Sequence, residues 1–456
     1  MKIDIKTINE NVEPIQLFYS GCKSPNTKSQ YTKQLRRVLF EFMEDILNEE
    51  AFEARANELV HKANKDPKWI RNVLIAIVSE LKKRTQLPRE DSNFAKTTIF
   101  DSYIPPVKKL LDMNDIPVVW KKIYSLYPEM QSDEDTRGYS RDEIKKMLKV
   151  AGAQDSATIL IASSSGIRMG AFDFKWKHIR PVYQYNDRLV WEDEDVTESI
   201  VKDGKIVCGL VLIYSDSVDK QFGFITPEAL DAIQVYKTQW IQDTGYEPKP
   251  DNPFLKHDGF IIKPADIKTT WARIRRVVIK TGLRKPLVKG KRRHEVPLMN
   301  GFRRFFNKKN KESLSKDSAL SVLIKKEVMM GHTGLISLDK NYFKMHMSEL
   351  VEEYLNAVPN LTISNELRQK LTIEQKNKKI TELQVKEKQI DDLQERFEDF
   401  KEESLNEIEK LKWTNEIYSI YFETGELPKI ETRGDKTRLH FKSLDELKKN
   451  SKKDLK

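Results

Sequence analysis

The sequence predicts a mainly α-helical fold with one small antiparallel β-sheet. In the first third of the chain, apolar residues recur three or four positions apart, the spacing of one buried helix face. Residues 206–214 form an almost continuous β-branched run, and residues 221–225 form a second apolar stretch after a polar loop. Helices should therefore dominate, with a hairpin-based sheet near the middle of the chain.

The composition narrows the function to a few classes. The 456 residues suffice for two or three domains, and the net charge of +10 suits a polyanionic partner such as nucleic acid. Cys22 and Cys208 lack metal-ligand spacing, so we expect reduced thiols and no metal. No apolar run reaches the ~20 residues that span a bilayer. The N-terminus also lacks a signal-peptide core, so we expect a soluble cytoplasmic protein.

Residues 1–130 are predicted to form a helical domain. Thr27 is a candidate N-cap for a helix that buries one side through residues 31–46. Asp66 followed by Pro67 predicts the start of a second helix, because proline is favoured at the first helical position. Further helices are expected around residues 108–111 and 119–123.

The polar residues 131–138 predict a linker to a second domain. After it, Ser140 with Glu143 predicts a capping box at a helix start. The apolar residues 158–162 then lead through three serines and Gly166 to Arg168. A buried helix that ends in a glycine turn fixes the following side chain in one orientation, which favours phosphate recognition by this arginine.

The runs 206–214 and 221–225 predict a β-hairpin whose loop spans residues 215–220. Lys220 closes that loop. Thr226 is a candidate N-cap for a helix opened by Pro227. Lys202 and Lys205 lie in the charged segment just before the first strand. The hairpin therefore brings several lysines into the middle of the predicted second domain.

A long basic segment precedes the last motifs. Residues 273–293 hold ten lysines and arginines and no acidic residue, with aliphatic residues interspersed. This pattern predicts a folded amphipathic element rather than a disordered tail. We interpret it as a clamp on a DNA backbone, a type of contact that adds affinity but carries little sequence information.

The last candidate site residues lie in two short motifs and the helix after them. Asn300 and Arg303 belong to the segment 300–306, which reads Asn-Gly-Phe-Arg-Arg-Phe-Phe. His332 belongs to a Gly-His-Thr-Gly segment, and Tyr342 follows ten positions later. In a predicted helix over residues 339–357, Tyr354 lies on the apolar stripe and is assigned to packing. Tyr342 is one step off that stripe, where its hydroxyl could reach a bound phosphate.

These motifs, in this order, resemble the tyrosine recombinase (integrase) family, and residues 108–116 are similar to its archaeal branch. The resemblance covers roughly residues 20–357. It implies a helical core-binding domain (1–130) and a recombinase catalytic domain (138–360) that form a clamp round double-stranded DNA. The catalytic residues that it implies are Arg168, Lys220, Asn300, Arg303, His332 and the nucleophile Tyr342. Asn300 stands where the family has histidine, and Ala171 where it often has an acidic residue.

The resemblance also implies a reaction. Arginines and hydrogen-bond donors hold the charge of a phosphodiester while a tyrosine attacks it, giving a 3′-phosphotyrosyl link and a free 5′-hydroxyl. Lys220, with Lys202 and Lys205 as competitors, is expected to protonate the leaving oxygen. No cofactor is needed. The expected role is integration or excision of a mobile element, or resolution of replicons. The alternatives are a type IB topoisomerase, a catalytically weakened architectural DNA-binding protein and a coiled-coil scaffold.

The C-terminal part of the chain lies outside the resemblance. Residues 365–412 carry an imperfect heptad ladder of Leu383, Ile390, Phe397 and Leu411, which predicts a coiled coil. Such a helix could pair protomers, because recombination by this family needs a homotetramer on two DNA sites. Residues 413–456 are predicted to form a separate extension with a basic, disordered tail at 447–453. The expected location is the nucleoid.

Overall fold

The structure is a computed structural model, and its mainly helical fold with a small antiparallel sheet confirms the predicted fold class. The chain divides into two compact units, Met1–Ser364 and Asn365–Lys456. None of the helices in the described part of the chain combines the length and apolarity that a bilayer crossing requires. The described residues are 12–129, 136–186, 188–191, 195–217, 219–257, 262–287, 294–314, 320–332, 346–425, 429–433 and 436–440.

The first unit begins with a helical bundle built round its own apolar core. Leu35, Leu74, Ile104 and Leu110, among others, are fully buried in this core. The helices of the bundle are α1 (Pro14–Ser20), α2 (Pro25–Glu41), α3 (Phe52–Lys65), α4 (Pro67–Gln86), α5 (Ile99–Asp112) and α6 (Trp120–Tyr124).

Two predicted helix starts in the bundle have different outcomes. Asp66 caps α4 as expected, since its carboxylate accepts hydrogen bonds from the backbone of Lys68 and Trp69. The prediction of Thr27 as the cap of α2 was wrong. Ser24 is the N-cap, with Pro25 at the first helical position, and its hydroxyl accepts from the backbone N–H of Thr27. Both residue types suit the position, and the proline favours the earlier one.

The rest of the first unit packs round a second core that contains a four-stranded antiparallel sheet of order β2-β1-β3-β4. β3 and β4 form the predicted hairpin, in register from Gly209 opposite Ile225 to Ile213 opposite Gln221. The elements are α7 (Arg141–Leu148), α8 (Ala153–Ser165), β1 (Ile179–Tyr185), β2 (Arg188–Val190), α9 (Glu198–Asp203), β3 (Lys205–Ile213), β4 (Gln221–Ile225), α10 (Pro227–Thr244), α11 (Ile267–Lys280), α12 (Asn300–Lys311), α13 (Leu320–Met329) and α14 (Met347–Leu361).

The residues just before α7 are held in place by specific contacts, unlike those of a flexible linker. The predicted capping box of Ser140 and Glu143 is present at the start of α7. Arg137 also pairs with Glu143 and with Glu295, at 2.7 and 2.6 Å. Residues 136–138 of the predicted linker therefore belong to the folded unit, because a backbone hydrogen bond from Arg137 to Glu295 at 3.0 Å and two ion pairs hold them. Residues 130–135 lie outside the described residues.

The second unit contains α15 (Asn365–Thr424), β5 (Lys429–Arg433) and β6 (Lys436–His440), and the two strands pair as an antiparallel hairpin. The prediction that a separate extension begins at residue 413 was wrong, because α15 continues to Thr424. Trp413 and Tyr418 lie on that helix, and Phe422 is 82 % exposed. The predicted tail at 447–453 lies outside the described residues.

Candidate active site

Arg168 is carried by a helix end that is buried almost throughout. The hydroxyls of Ser164 and Ser165 donate to carbonyls one turn back in α8, both at 2.6 Å, so no buried donor is left over. Gly166 then turns the chain with φ of 62°, the left-handed region that favours glycine. A Cβ at Gly166 would lie 2.4 Å from the ring of Phe306. The exposed side chain of Arg168 thus starts from a rigid turn.

Arg303 is held by three contacts at the other side of that turn. Its guanidinium donates to the carbonyl of Gly166 at 2.5 Å and to the carbonyl of Met330 at 2.6 Å. The same guanidinium lies 3.0 Å from Nε2 of His332. Burial, followed by the nearby charge of Arg168, lowers the pKa of Arg303. Two cations so placed favour an anion between them.

His332 is oriented by an acidic side chain from α13. Its Nδ1 lies 2.6 Å from Oε2 of Glu327, and Lys311 pairs with the other oxygen of that carboxylate. Burial opposes ionisation of Glu327, but the hydrogen bonds from Lys311 and His332 outweigh it and lower the pKa of this carboxyl. The carboxylate is therefore ionised at neutral pH and joins α12, α13 and the histidine.

α13 is itself anchored in the protein interior. The fully buried Nζ of Lys326 lies 2.7 Å from a carboxylate oxygen of Glu353 on α14 and 2.8 Å from the hydroxyl of Ser313. A buried ammonium is tolerated where such partners satisfy it. Nζ of Lys326 also lies 3.3 Å from Oδ1 of Asn310, so the segment that leads to His332 is tied both to α12 and to α14.

Arg168, Arg303 and His332 line one cavity of about 560 Å³ at the surface of the first unit. Asn300, the first residue of α12, lines the same cavity. Four of the six predicted site residues, Arg168, Asn300, Arg303 and His332, are therefore brought together. The remaining lining residues are Met169, Gly170, Arg304, Asn307 and Met330.

Lys220 is exposed at the end of the β3–β4 loop and does not line the cavity. Its neighbour Gln221 nevertheless reaches the turn before His332, because a Cβ added at Gly331 would lie 2.7 Å from the Gln221 amide. The loop therefore lies beside the cavity. Lys202, at the end of α9, and Lys205, at the start of β3, are at the far end of the strand from this loop.

Of the two tyrosines near the last motif, Tyr354 lies within the described residues and Tyr342 does not. Tyr342, the predicted nucleophile, lies outside the described residues. Tyr354 is fully buried and donates from its hydroxyl to the carbonyl of Ser164 at 2.8 Å, with its ring stacked on Phe224. Its assignment to packing is confirmed. The described helix here, α14, begins at Met347, and residues 339–345 of the predicted helix lie outside the described residues.

The predicted basic element is present as α11, which buries Ile274, Val277 and Val278 and exposes its other side. Arg275 and Arg276 are exposed on that side, next to the exposed ring of Trp271. One cation of the predicted clamp segment 273–293 has a partner within the protein. Arg273 forms an ion pair with Asp155 at 2.8 Å, with both side chains largely buried. Residues 288–293 lie outside the described residues.

Glu327 is a site residue that the sequence reasoning missed. The sequence does hold one indication of its role. Gly331, just after a helix, is typical of a Schellman motif, which links His332 to the residue five positions earlier. That motif is present: the backbone N–H of His332 donates to the carbonyl of Glu327 at 3.1 Å, and that of Gly331 donates to Val328 at 2.8 Å. The turn brings the two side chains together from positions five apart.

No family model and no curated protein matches this sequence. Among solved structures, the chain is similar to the XerA recombinase, with 16 % identity, 75 % of this chain and 95 % of that chain covered and a TM-score of 0.28. It is also similar to a lambda integrase dimer bound to a COC′ core site, with 10 % identity, 71 % of this chain and 93 % of that chain covered and a TM-score of 0.36. A third similar structure is the integrase from mycobacterium phage Brujita, with 11 % identity, 78 % of this chain and 95 % of that chain covered and a TM-score of 0.31. At such identities and TM-scores, these likenesses assign neither a family nor an activity to this chain.

Proposed function

We propose that this protein is a site-specific DNA recombinase that cleaves and rejoins DNA through a 3′-phosphotyrosyl intermediate. The observation that carries the proposal is the convergence of Arg168, Asn300, Arg303 and His332 on one cavity. These residues come from three separate segments of the chain, and together they offer two cations and two further hydrogen-bonding groups to a phosphate. The motif order in the sequence supports the same reading.

The proposed reaction follows from the charge of the phosphodiester. Arg168 and Arg303 donate to the non-bridging oxygens, where negative charge grows in the pentavalent transition state. The hydroxyl of Tyr342 forms a bond to phosphorus while the bond to the 5′-oxygen breaks, and Lys220 gives a proton to that oxygen. Attack by another 5′-hydroxyl reverses the step and joins new ends. No metal is required by this scheme.

The exposed side of α11 supplies the proposed contact with the DNA backbone. Ile267, at the start of α11, lies 3.8 Å from a Cβ built on Gly170, which lines the cavity. The start of α11, which carries the exposed Lys268, therefore lies next to the cavity, and the exposed Arg275 and Arg276 follow about two turns further along the helix. From there they can hold the duplex that leads to the scissile phosphate. Affinity for DNA should fall steeply as salt is raised, because each neutralised phosphate releases counterions.

We further propose that copies of the protein associate through α15 and act as a tetramer on two DNA sites. The heptad positions Ile390, Leu393, Phe397 and Phe400 are all more than half exposed, which suits a helix that pairs with its equivalent. In this role the enzyme would integrate or excise a mobile element, or resolve replicons, within the nucleoid.

Covalent capture tests the proposal. The full-length protein is incubated with a library of nicked duplexes of randomised sequence, and adducts that survive denaturation are recovered and sequenced. We expect an adduct at a defined sequence, and we expect Tyr342→Phe to form none while it still binds DNA. Relaxation of supercoils without sequence preference would point to a type IB topoisomerase. Tight DNA binding with no adduct would point to an architectural protein, and no binding to a scaffold.

A further inference from the structure

The cavity contains one described group that can exchange a proton near neutral pH. Its described lining includes three arginines, two asparagines, a glycine, two methionines and His332. Arginine stays protonated and an asparagine amide does not titrate, so both are fixed hydrogen-bonding groups. Histidine is the side chain that gains and loses a proton in this range. Proton transfer at a bound phosphate therefore has His332 as its available carrier among these residues.

The hydrogen-bond partners of His332 define which nitrogen holds the proton. The guanidinium of Arg303 is always a donor, so Nε2, 3.0 Å away, accepts. Nδ1 then carries the proton and donates a hydrogen bond to Oε2 of Glu327, 2.6 Å away. The free site thus holds a neutral ring with its lone pair directed to the side of the cavity where Arg303 lies.

Glu327 is well placed to maintain this arrangement. The Schellman turn fixes its backbone against that of His332, and Lys311 holds the second carboxylate oxygen. Its side chain is 15 % exposed, so little water competes for it. A negative charge in this position stabilises the imidazolium that forms when Nε2 takes up a proton.

We propose that Glu327 is a positioning residue that makes His332 the proton acceptor of this site, a role that an asparagine at position 300 cannot fill. The inference rests on the proposed function. The bound phosphate takes the hydrogen bond of the Arg303 guanidinium and so frees the Nε2 lone pair of His332. As the bond between the nucleophilic oxygen and phosphorus forms and the bond to the 5′-oxygen breaks, the hydroxyl proton passes to this nitrogen. The resulting imidazolium lies between the Glu327 carboxylate and the phosphate, and in the reverse step it returns the proton.

Some charged groups around His332 disfavour the protonated ring, and another favours it. Arg303, Arg304 and Lys311 on α12, together with Arg168 after the Gly166 turn, disfavour a positive ring, whereas Glu327 favours it. A bound phosphate occupies the arginines and adds negative charge. The neutral ring is needed for attack, so the cleavage rate should fall as the pH is lowered through the range in which histidine becomes protonated.

The test is the pH dependence of single-turnover adduct formation on the captured DNA sequence, with saturating protein. Glu327→Gln keeps a hydrogen-bond acceptor for Nδ1 and removes only the charge. We expect it to lower the rate at pH 7 about 10–100-fold, by analogy with the loss when the carboxylate that orients a metal-binding histidine is removed. We also expect its acidic limb to move to lower pH. His332→Ala should abolish that limb and lower the rate about 100-fold or more.

Glu349→Gln is the matched control, because it removes a carboxylate from a surface ion pair with Lys325 on α13. Its rate and pH profile should equal those of the wild type. A substrate with sulfur in place of the 5′-bridging oxygen adds a second control, since a thiolate leaves without a proton. This substrate should restore Lys220→Ala and leave Glu327→Gln slow, whereas restoration of Glu327→Gln would assign the residue to the leaving group.

Different results would contradict the proposed function and the proposed role of Glu327. If the wild type forms no adduct, the proposed function is wrong. If the wild type forms an adduct and Glu327→Gln keeps both its rate and its pH profile, the inference about Glu327 is wrong. Thermal unfolding and DNA affinity of Glu327→Gln should match the wild type, and a loss of both would show a merely structural role.

Discussion

At the scale of single residues, Arg168 and Arg303 line the same cavity but are held in different ways. Arg303 is half-buried, and its guanidinium is bonded to two backbone carbonyls and a histidine. Arg168 is exposed at the mouth of the same cavity. Phosphate binding must therefore compete with protein acceptors at Arg303, whereas at Arg168 it competes mainly with water.

This difference makes Arg168 the cleaner probe of function. Arg168→Ala should lower the rate of adduct formation about 10²–10³-fold, as loss of one transition-state donor does. Its free energy of unfolding should change by less than about 0.5 kcal/mol, because the side chain is exposed. Lys149→Ala, which removes an exposed charge after α7, is the control and should leave the rate unchanged. A normal rate in Arg168→Ala would contradict the proposed site.

Two glycines in the left-handed region permit a matched comparison of stability. Gly245 has φ of 80° and open space around an added Cβ, so Gly245→Ala should cost about 1–2 kcal/mol through backbone conformation alone. At Gly166 a Cβ would also collide with Phe306, and Gly166→Ala should cost about 2–5 kcal/mol. Urea unfolding measures both. Equal costs would show that the contact with Phe306 relaxes freely.

At the scale of elements, α12 organises the site. Asn300, Arg303 and Lys311 lie along this one helix, and the last two hold opposite ends of the pair formed by His332 and Glu327. Its other side is buried through Phe302, Phe305 and Phe306. Any rotation of the helix would expose these rings, so core packing fixes the positions of the polar groups.

α11 carries the prediction that concerns DNA affinity. Arg276→Ala should reduce the slope of log affinity against log salt by about 0.9, the change expected for one phosphate contact. Arg273→Gln should leave the slope unchanged, because that arginine already pairs with Asp155. Fluorescence anisotropy with a labelled duplex at several salt concentrations measures both. An affinity that is insensitive to salt in the wild type would rule out the backbone clamp.

The sequence was informative about local structure and less so about contacts between distant segments. The capping box at Ser140, the cap at Asp66 and the β3–β4 hairpin were predicted because a few adjacent residues determine them. The position of α2 was missed by three residues, since Ser24 and Thr27 are both good caps. Glu327 was missed because its importance depends on Lys311, which no local pattern connects to it. Arg273 was misread for the same reason.

At the scale of the whole molecule, the chain consists of a first unit with the candidate site and a second unit dominated by one long helix. Along α15 the large apolar side chains are exposed, including Phe397 at 63 % and Phe400 at 65 %. Folded proteins usually cover large apolar side chains, so this exposed row supports the proposed association of copies through α15.

Association through α15 gives a prediction for the whole protein. The double variant Phe397→Glu, Phe400→Glu should sediment as a smaller species than the wild type in analytical ultracentrifugation, because charges replace two heptad positions. Leu405→Glu changes a residue of similar exposure off the heptad ladder, and its sedimentation should match the wild type. Identical sedimentation of all three proteins would exclude α15 as the contact between copies.

The close approach of Gln221 to Gly331 has a consequence for the two groups to which we assign proton transfer. Gly331 immediately precedes His332, and Gln221 immediately follows Lys220. A Cβ added at Gly331 would lie 2.7 Å from the Gln221 amide. Any side chain at position 331 would have to displace that amide, so glycine here lets the loop that ends at Lys220 lie close to the turn that carries His332.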